Sequence, residues 1–238
     1  MSYQNYDGSK ANITYVNEDV IDNLPKYQVE KEGSTAQMYR YDQKHLLKWY
    51  DIEEEVALDL LGYPSDTFLA PSKIFVNING KIRGAIIKEA VGISFLDEAF
   101  QEISFQDLDH AHQQFDQELT KLSNLHVFAN DLKKEHFVFD SNSKKFQQFD
   151  LDYFVKFAER SDTVIDPIKR NRALYSEFFE SLIPNEMITY IQQDPQLFSL
   201  LLMAEMGEIP YSQFFHTFVE TIDDKSLSPH TFHKIHHK

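Results

Sequence analysis

Five side chains with chemistry of their own lie close together in one stretch. Asn130–Asp152, NDLKKEHFVFDSNSKKFQQFDLD, opens on Asp131, Lys133 and His136 and closes on Asp150 and Asp152. Between them, the apolar runs Phe137-Val138-Phe139 and Phe146 to Phe149 flank the polar turn Asp140-Ser141-Asn142-Ser143. That is the pattern of two strands joined by a turn. An antiparallel hairpin returns the chain to where it began, so this reading gathers Asp131, His136 and Asp150 around one small volume. A carboxylate base, a metal ligand and a lysine that compensates phosphate charge suit phosphoryl transfer, where catalysis is mostly positioning and electrostatics.

Other elements must hold these groups in place. Upstream, Ile13 to Val16, Tyr27-Gln28-Val29, Met38 to Tyr41 and His45 to Tyr50 read as strands, with turns at Glu32-Gly33-Ser34-Thr35 and Asp42-Gln43-Lys44. Ile52 to Leu61 carries Val56, Leu58, Leu60 and Leu61 and stops at Gly62, which predicts one short helix. Val76 to Arg83 contains Asn79-Gly80, the dipeptide of a tight type I′ hairpin. Its second strand runs through Ala85-Ile86-Ile87 toward Gly92. After Gly92 the period lengthens. Ser104 with Asp107 marks a helix start, and Leu108, Ala111, Phe115, Leu119, Leu122 and Leu125 follow at steps of three and four. Helices are further expected over Ala173–Leu182, Met187–Gln193, Gln196–Met206 and Ser212–Ile222, punctuated by Pro184, Pro195 and Pro210. The end carrying His230, His233, His236 and His237 reads as a disordered polar tail. The expected class is α+β, with a small antiparallel β-rich region over 1–92 and a mainly helical region over 93–238 that holds the hairpin.

Composition sets the limits. The chain has 238 residues, 42% hydrophobic and 14% aromatic, enough to bury a core. Its net charge of −15 argues against nonspecific nucleic-acid or anionic-membrane binding. The absence of Cys excludes disulfides and thiolate metal sites. The first residues lack the basic and apolar runs of a signal peptide. No apolar run reaches the roughly 18–20 residues that span a membrane. A cytoplasmic, soluble protein without membrane insertion is the expectation.

The order of these features resembles the protein kinases, whose catalytic loop Asp-Leu-Lys-x-x-Asn is followed by a hairpin and Asp-Phe-Gly. Here the matching residues are Asp131-Leu132-Lys133-Lys134-Glu135-His136 and Asp150-Leu151-Asp152. The resemblance covers roughly residues 27–182. It implies a bilobal fold that uses ATP and Mg²⁺ and transfers the γ-phosphate to a protein hydroxyl. Asp131 would orient the acceptor hydroxyl, Lys133 would steady the transferred phosphate, and Asp150 would hold Mg²⁺ with His136 or Asp152. Lys48 would be the strand lysine, with Glu55 as its helix partner and Glu54 as the neighbouring alternative. Gly33 and Ser34 would cover the phosphates, while Ile87, Glu89 and Val91 would border the adenine.

The sequence also departs from that pattern. The phosphate loop has one Gly, Ala129-Asn130 replace His-Arg, His136 replaces the metal-binding Asn, Asp152 replaces the final Gly, and no Ala-Pro-Glu follows. Imidazole suits softer metals than Mg²⁺, which prefers oxygen. Two readings follow: a compact, divergent bacterial-type Ser/Thr kinase with a protein substrate, or a pseudokinase that binds nucleotide or a protein partner. Asp150-Leu151-Asp152 is also an Asp-x-Asp, the metal motif of many glycosyltransferases, but those folds place alternating βα units ahead of it.

Overall fold

The computed structural model describes residues 13–16, 36–54, 60–152, 154–156 and 166–236. The chain divides into two compact units, Met1–Ala90 with Phe149–Phe154, and Val91–Gln148 with Val155–Lys238. The class is α+β, with a mixed five-stranded sheet and six α-helices among the described residues.

In the first unit β1 (Ile13–Tyr15), β2 (Ala36–Arg40), β3 (His45–Glu54), β4 (Lys73–Val76) and β5 (Ile82–Lys88) lie in the order β1-β4-β5-β3-β2. Neighbours are antiparallel except β1 and β4, which run parallel with Ile13 opposite Ile74. The expected antiparallel sheet therefore carries one parallel edge strand. The long connection from β1 to β4 provides the crossover that a parallel pair needs. Side chains alternate between the two faces of a strand. Tyr50, Ile74, Val76, Ile82 and Ala85 pack in one cluster, and Leu47, Trp49 and Ile86 pack in another. Lys48, between Leu47 and Trp49, shares the face of Tyr50.

Two sequence expectations are corrected in this unit. The helix expected from Ile52 does not begin there, because β3 continues to Glu54, which pairs with Ile82 beyond a bulge. A partner strand satisfies those backbone groups, and this overrides the weak helical pattern of an acidic run. The Asn79-Gly80 turn is not type I′, which requires positive φ at both central residues. Gly80 alone has it, at +76°, and Asn77 organises the turn by accepting the N–H groups of Asn79 and Lys81 at 3.0 and 2.9 Å.

The second unit contains β6 (Ile93–Ser94), α1 (Phe105–Asn124), β7 (Val127–Phe128), β8 (Phe137–Asp140), β9 (Lys145–Gln148) and β10 (Val155–Lys156). Then follow α2 (Pro167–Glu180), α3 (Asn185–Gln193), α4 (Pro195–Glu205), α5 (Tyr211–Glu220) and α6 (Pro229–His236). Ser104 caps α1 by accepting the Asp107 N–H at 3.1 Å, and Leu108, Ala111, Phe115, Leu119 and Leu122 are buried along one stripe. The hairpin β8–β9 forms with Phe139 opposite Phe146 and contributes Phe137, Phe139 and Phe146 to an aromatic core. α2 begins at Pro167, six residues before its expected start. Asp166 accepts the N–H groups of Ile168 and Lys169, and Pro167 occupies a first-turn position whose N–H has no helical partner anyway. The His-rich end is corrected from a polar tail to a helix. Ser228 Oγ accepts the Thr231 N–H at 3.2 Å, and Phe232 is buried with its ring 5.8 Å from that of Phe105.

His112 on α1 is enclosed by the rings of Phe179, Phe215, Phe146 and Tyr211, whose centroids lie 4.5 to 4.9 Å away. Burial without a charge partner pushes its pKa from 6.5 down to about 3. The unfolded chain therefore takes up this proton as pH falls through 6.5, while the folded chain refuses it until about pH 3. The resulting stability is complete above 6.5 and lost on acidification. Between pH 7 and pH 5 the contribution falls by about 2 kcal/mol. Urea unfolding at the two pH values is expected to show that loss, and His112→Phe is expected to lack it.

Candidate functional site

Lys48 leaves β3 on the Tyr50 face, and its ammonium is the centre of a four-residue cluster. It donates to Asp150 Oδ1 at 2.6 Å and to Asp152 Oδ2 at 2.5 Å, and Tyr50 Oη donates to the same Asp152 oxygen at 3.0 Å. The acids lie more than one hundred residues further along the chain, yet both belong to the first unit. Buried Leu151 and Phe154 anchor the segment, with the Phe154 ring 6.3 Å from that of Phe68. Phe154 N–H donates to the Leu151 carbonyl at 3.0 Å, a turn that lets both flanking acids face one cation. Asp150 has φ +59°, in the left-handed region that non-glycine residues rarely occupy and that clusters at functional sites.

Electrostatics follow from this packing. Burial pulls the Lys48 pKa down, but the charges of Asp152 and Asp150 outweigh it and hold the pKa above the ordinary lysine value. For Asp152, burial and the neighbouring Asp150 charge raise the pKa, and Lys48 and the Tyr50 hydroxyl offset this only in part. The side chains are 11% exposed for Lys48 and 15% for Asp152, against 33% for Asp150. The cluster is thus a charged lysine between one buried and one more accessible carboxylate. Among the described residues no group of three or more His, Cys, Asp or Glu side chains gathers as a metal site. The two carboxylates nonetheless suit Mg²⁺, which takes one or two protein carboxylates together with water and phosphate oxygens. They already hold a cation, the lysine ammonium.

Asp131, Lys133 and His136 belong to the second unit. Asp131 also has left-handed backbone, φ +56°, and its carboxylate accepts from Lys133 Nζ at 2.8 Å. Lys133 is half exposed, whereas His136 is buried at the end of a short 3₁₀ turn just before β8. Of the expected nucleotide-binding residues, Ile87 lies on β5 opposite Leu46. Glu89 binds Arg40 through two hydrogen bonds of 2.5 and 2.9 Å, and its N–H donates to the Lys44 carbonyl. Val91 N–H donates to Gln147 Oε1 at 3.2 Å. Gly33, Ser34 and Glu55 lie outside the described residues.

Sequence reasoning missed two supporting residues. Tyr50 was read only as part of a strand, but its hydroxyl meets Asp152. Asn171, fully buried on α2, accepts the Ala129 N–H at 3.0 Å and donates to Val127 O at 2.8 Å and Ser123 Oγ at 2.9 Å. It pins the chain just before Asp131. Arg170 adds a hydrogen bond to Asn130 and a cation–π contact with Phe128. The signal for Asn171, an Asn inside a helix whose amide must have something to hold, appears only once α2 is seen to start at Pro167, since the expected helix begins at Ala173. Comparison with protein-family models finds no match to this chain, and comparison with curated proteins finds none either.

Proposed function

We propose that the chain is an ATP- and Mg²⁺-dependent phosphotransferase with a bilobal, protein kinase-like fold, acting on a hydroxyl of a protein substrate. The observation that supports this reading most is the binding of Lys48 by both Asp150 and Asp152. A lysine that compensates phosphate charge next to two oxygen ligands for a hard cation is what nucleotide phosphates require. Bound Mg²⁺ would supply neutralisation of developing phosphate charge. Lys48 would exchange its carboxylate partners for phosphate oxygens, Asp131 would accept a hydrogen bond from the acceptor hydroxyl, and Lys133 would balance the charge of the transferred group.

A pseudokinase is the second reading, favoured by the burial of His136 at the position where the kinases carry a metal-binding Asn. Calorimetric titration with ATP, with and without Mg²⁺, and transfer of labelled phosphate to a generic protein acceptor separate the two. The first reading expects Mg²⁺-dependent binding that is lost in Asp150→Ala, and transfer that is lost in Asp131→Ala while binding persists. Transfer that survives both substitutions overturns the site. Nucleotide binding with no transfer in the unsubstituted chain selects the second reading.

A further inference from the structure

Helix α4 is apolar on more sides than its neighbours cover. Leu197, Leu201 and Ala204 are buried. Phe198, Leu202, Met203 and Met206, on the other arc, are 37%, 40%, 37% and 56% exposed. These are four of the ten large apolar side chains exposed among the described residues. Single exposed apolar residues need no explanation, but a contiguous group on one helix marks an interaction surface. The two methionines suit such a surface, because their flexible thioethers adapt to a partner's shape.

The border of the stripe is acidic. Glu205 follows Phe198 by seven residues, two helical turns, and so lies on the same side. Burial, a hydrogen bond to Glu180 and the charges of Glu180 and Glu177 on α2 push the Glu205 carboxyl up to about 7. From α5, the group turned toward this region is Tyr211, itself fully buried and subject to the Glu180 charge. Lys169, at the start of α2, is already paired with Glu208. The acids act on one another, and among the described residues no cation acts on Glu205.

We propose that this face docks a basic amphipathic helix of a partner protein. Its apolar side covers Phe198, Leu202, Met203 and Met206, and its lysines or arginines lie beside Glu205, Glu180 and Glu177. Charge complementarity selects this occupant. A second copy would bring the same acids against themselves, and an anionic lipid surface would repel them. A cation beside Glu205 favours its ionised form, so docking releases a proton and tightens as pH rises.

The test uses the full chain and a fluorescent peptide made only of leucine and lysine in amphipathic order. The same peptide with glutamate in place of lysine is the control. Anisotropy is expected to show binding of the lysine peptide alone, tighter at pH 8 than at pH 6. Leu202→Lys and Met206→Lys should each weaken it about tenfold, with circular dichroism unchanged. Glu205→Gln should remove the pH dependence, and Ile78→Lys, in the first unit, should change nothing. Equal binding by the two α4 lysine variants overturns the proposal. So does self-association abolished by Leu202→Lys, or binding of the chain to phosphatidylserine vesicles through this face.

Discussion

Lys48→Met is expected to destabilise the chain by about 3 kcal/mol, because removing one partner from a buried ion pair leaves the other uncompensated. Here two partners are left. Asp150 and Asp152 both contact the ammonium within 2.6 Å, and burial already holds the Asp152 pKa above the ordinary carboxylate value. Without the lysine, Asp152 is expected to take up a proton at higher pH, so the loss should be larger at pH 8 than at pH 5. Urea unfolding at both pH values measures this. Combining Lys48→Met with Asp152→Asn should recover part of the loss, since the more buried of the two stranded charges is then gone and the more accessible Asp150 remains. The same variant bears on function: the phosphotransfer reading expects weaker ATP–Mg²⁺ binding as well as lower stability. A variant that is destabilised but binds nucleotide normally would leave Lys48 as a structural counter-ion.

The second large effect is expected at Asn171. Asn171→Ala removes an acceptor from the Ala129 N–H and a donor from the Val127 carbonyl, both at fully buried residues. A buried polar group left unmade costs about 1–3 kcal/mol, so two orphaned groups predict a loss of about 3 kcal/mol. Asn171→Asp keeps the acceptor but sets an uncompensated carboxylate against the Val127 carbonyl at a fully buried position, and should be at least as destabilising as Asn171→Ala at neutral pH. Because the released segment leads directly into Asp131, the phosphotransfer reading adds a kinetic expectation. Transfer should slow more in Asn171→Ala than the unfolded fraction explains, while ATP binding in the first unit stays unchanged. Equal losses of both would reduce Asn171 to a purely structural role.

The elements legible in the sequence are those whose pattern is strong and local. The stripe Leu108, Ala111, Phe115, Leu119 and Leu122 with its Ser104 cap is α1 because helical spacing and a cap are both local properties. The hairpin around Asp140 to Ser143 was legible for the same reason. What failed were places where a partner outside the local pattern, near or far along the chain, overrides local preference. Ile52 to Glu54 look helical but continue β3, whose Glu54 pairs with Ile82 of β5. Asn79-Gly80 favours one turn, yet the Asn77 side chain imposes another. The histidines of the last segment look like a tail, but Phe232 has a pocket of rings to fill.

The candidate site divides along the same line. Sequence alone supplied the candidates: Lys48, Asp131, Lys133, Asp150 and Asp152 stand out by type, by order and by the resemblance those imply. The tertiary structure decided what they touch. Leu151 and Phe154 are buried with the first unit, and that burial brings Asp150 and Asp152 to Lys48. Spacing along a chain does not report which core an apolar residue enters. That choice is made by the whole fold, because burial energy depends on the area removed from water and not on sequence distance.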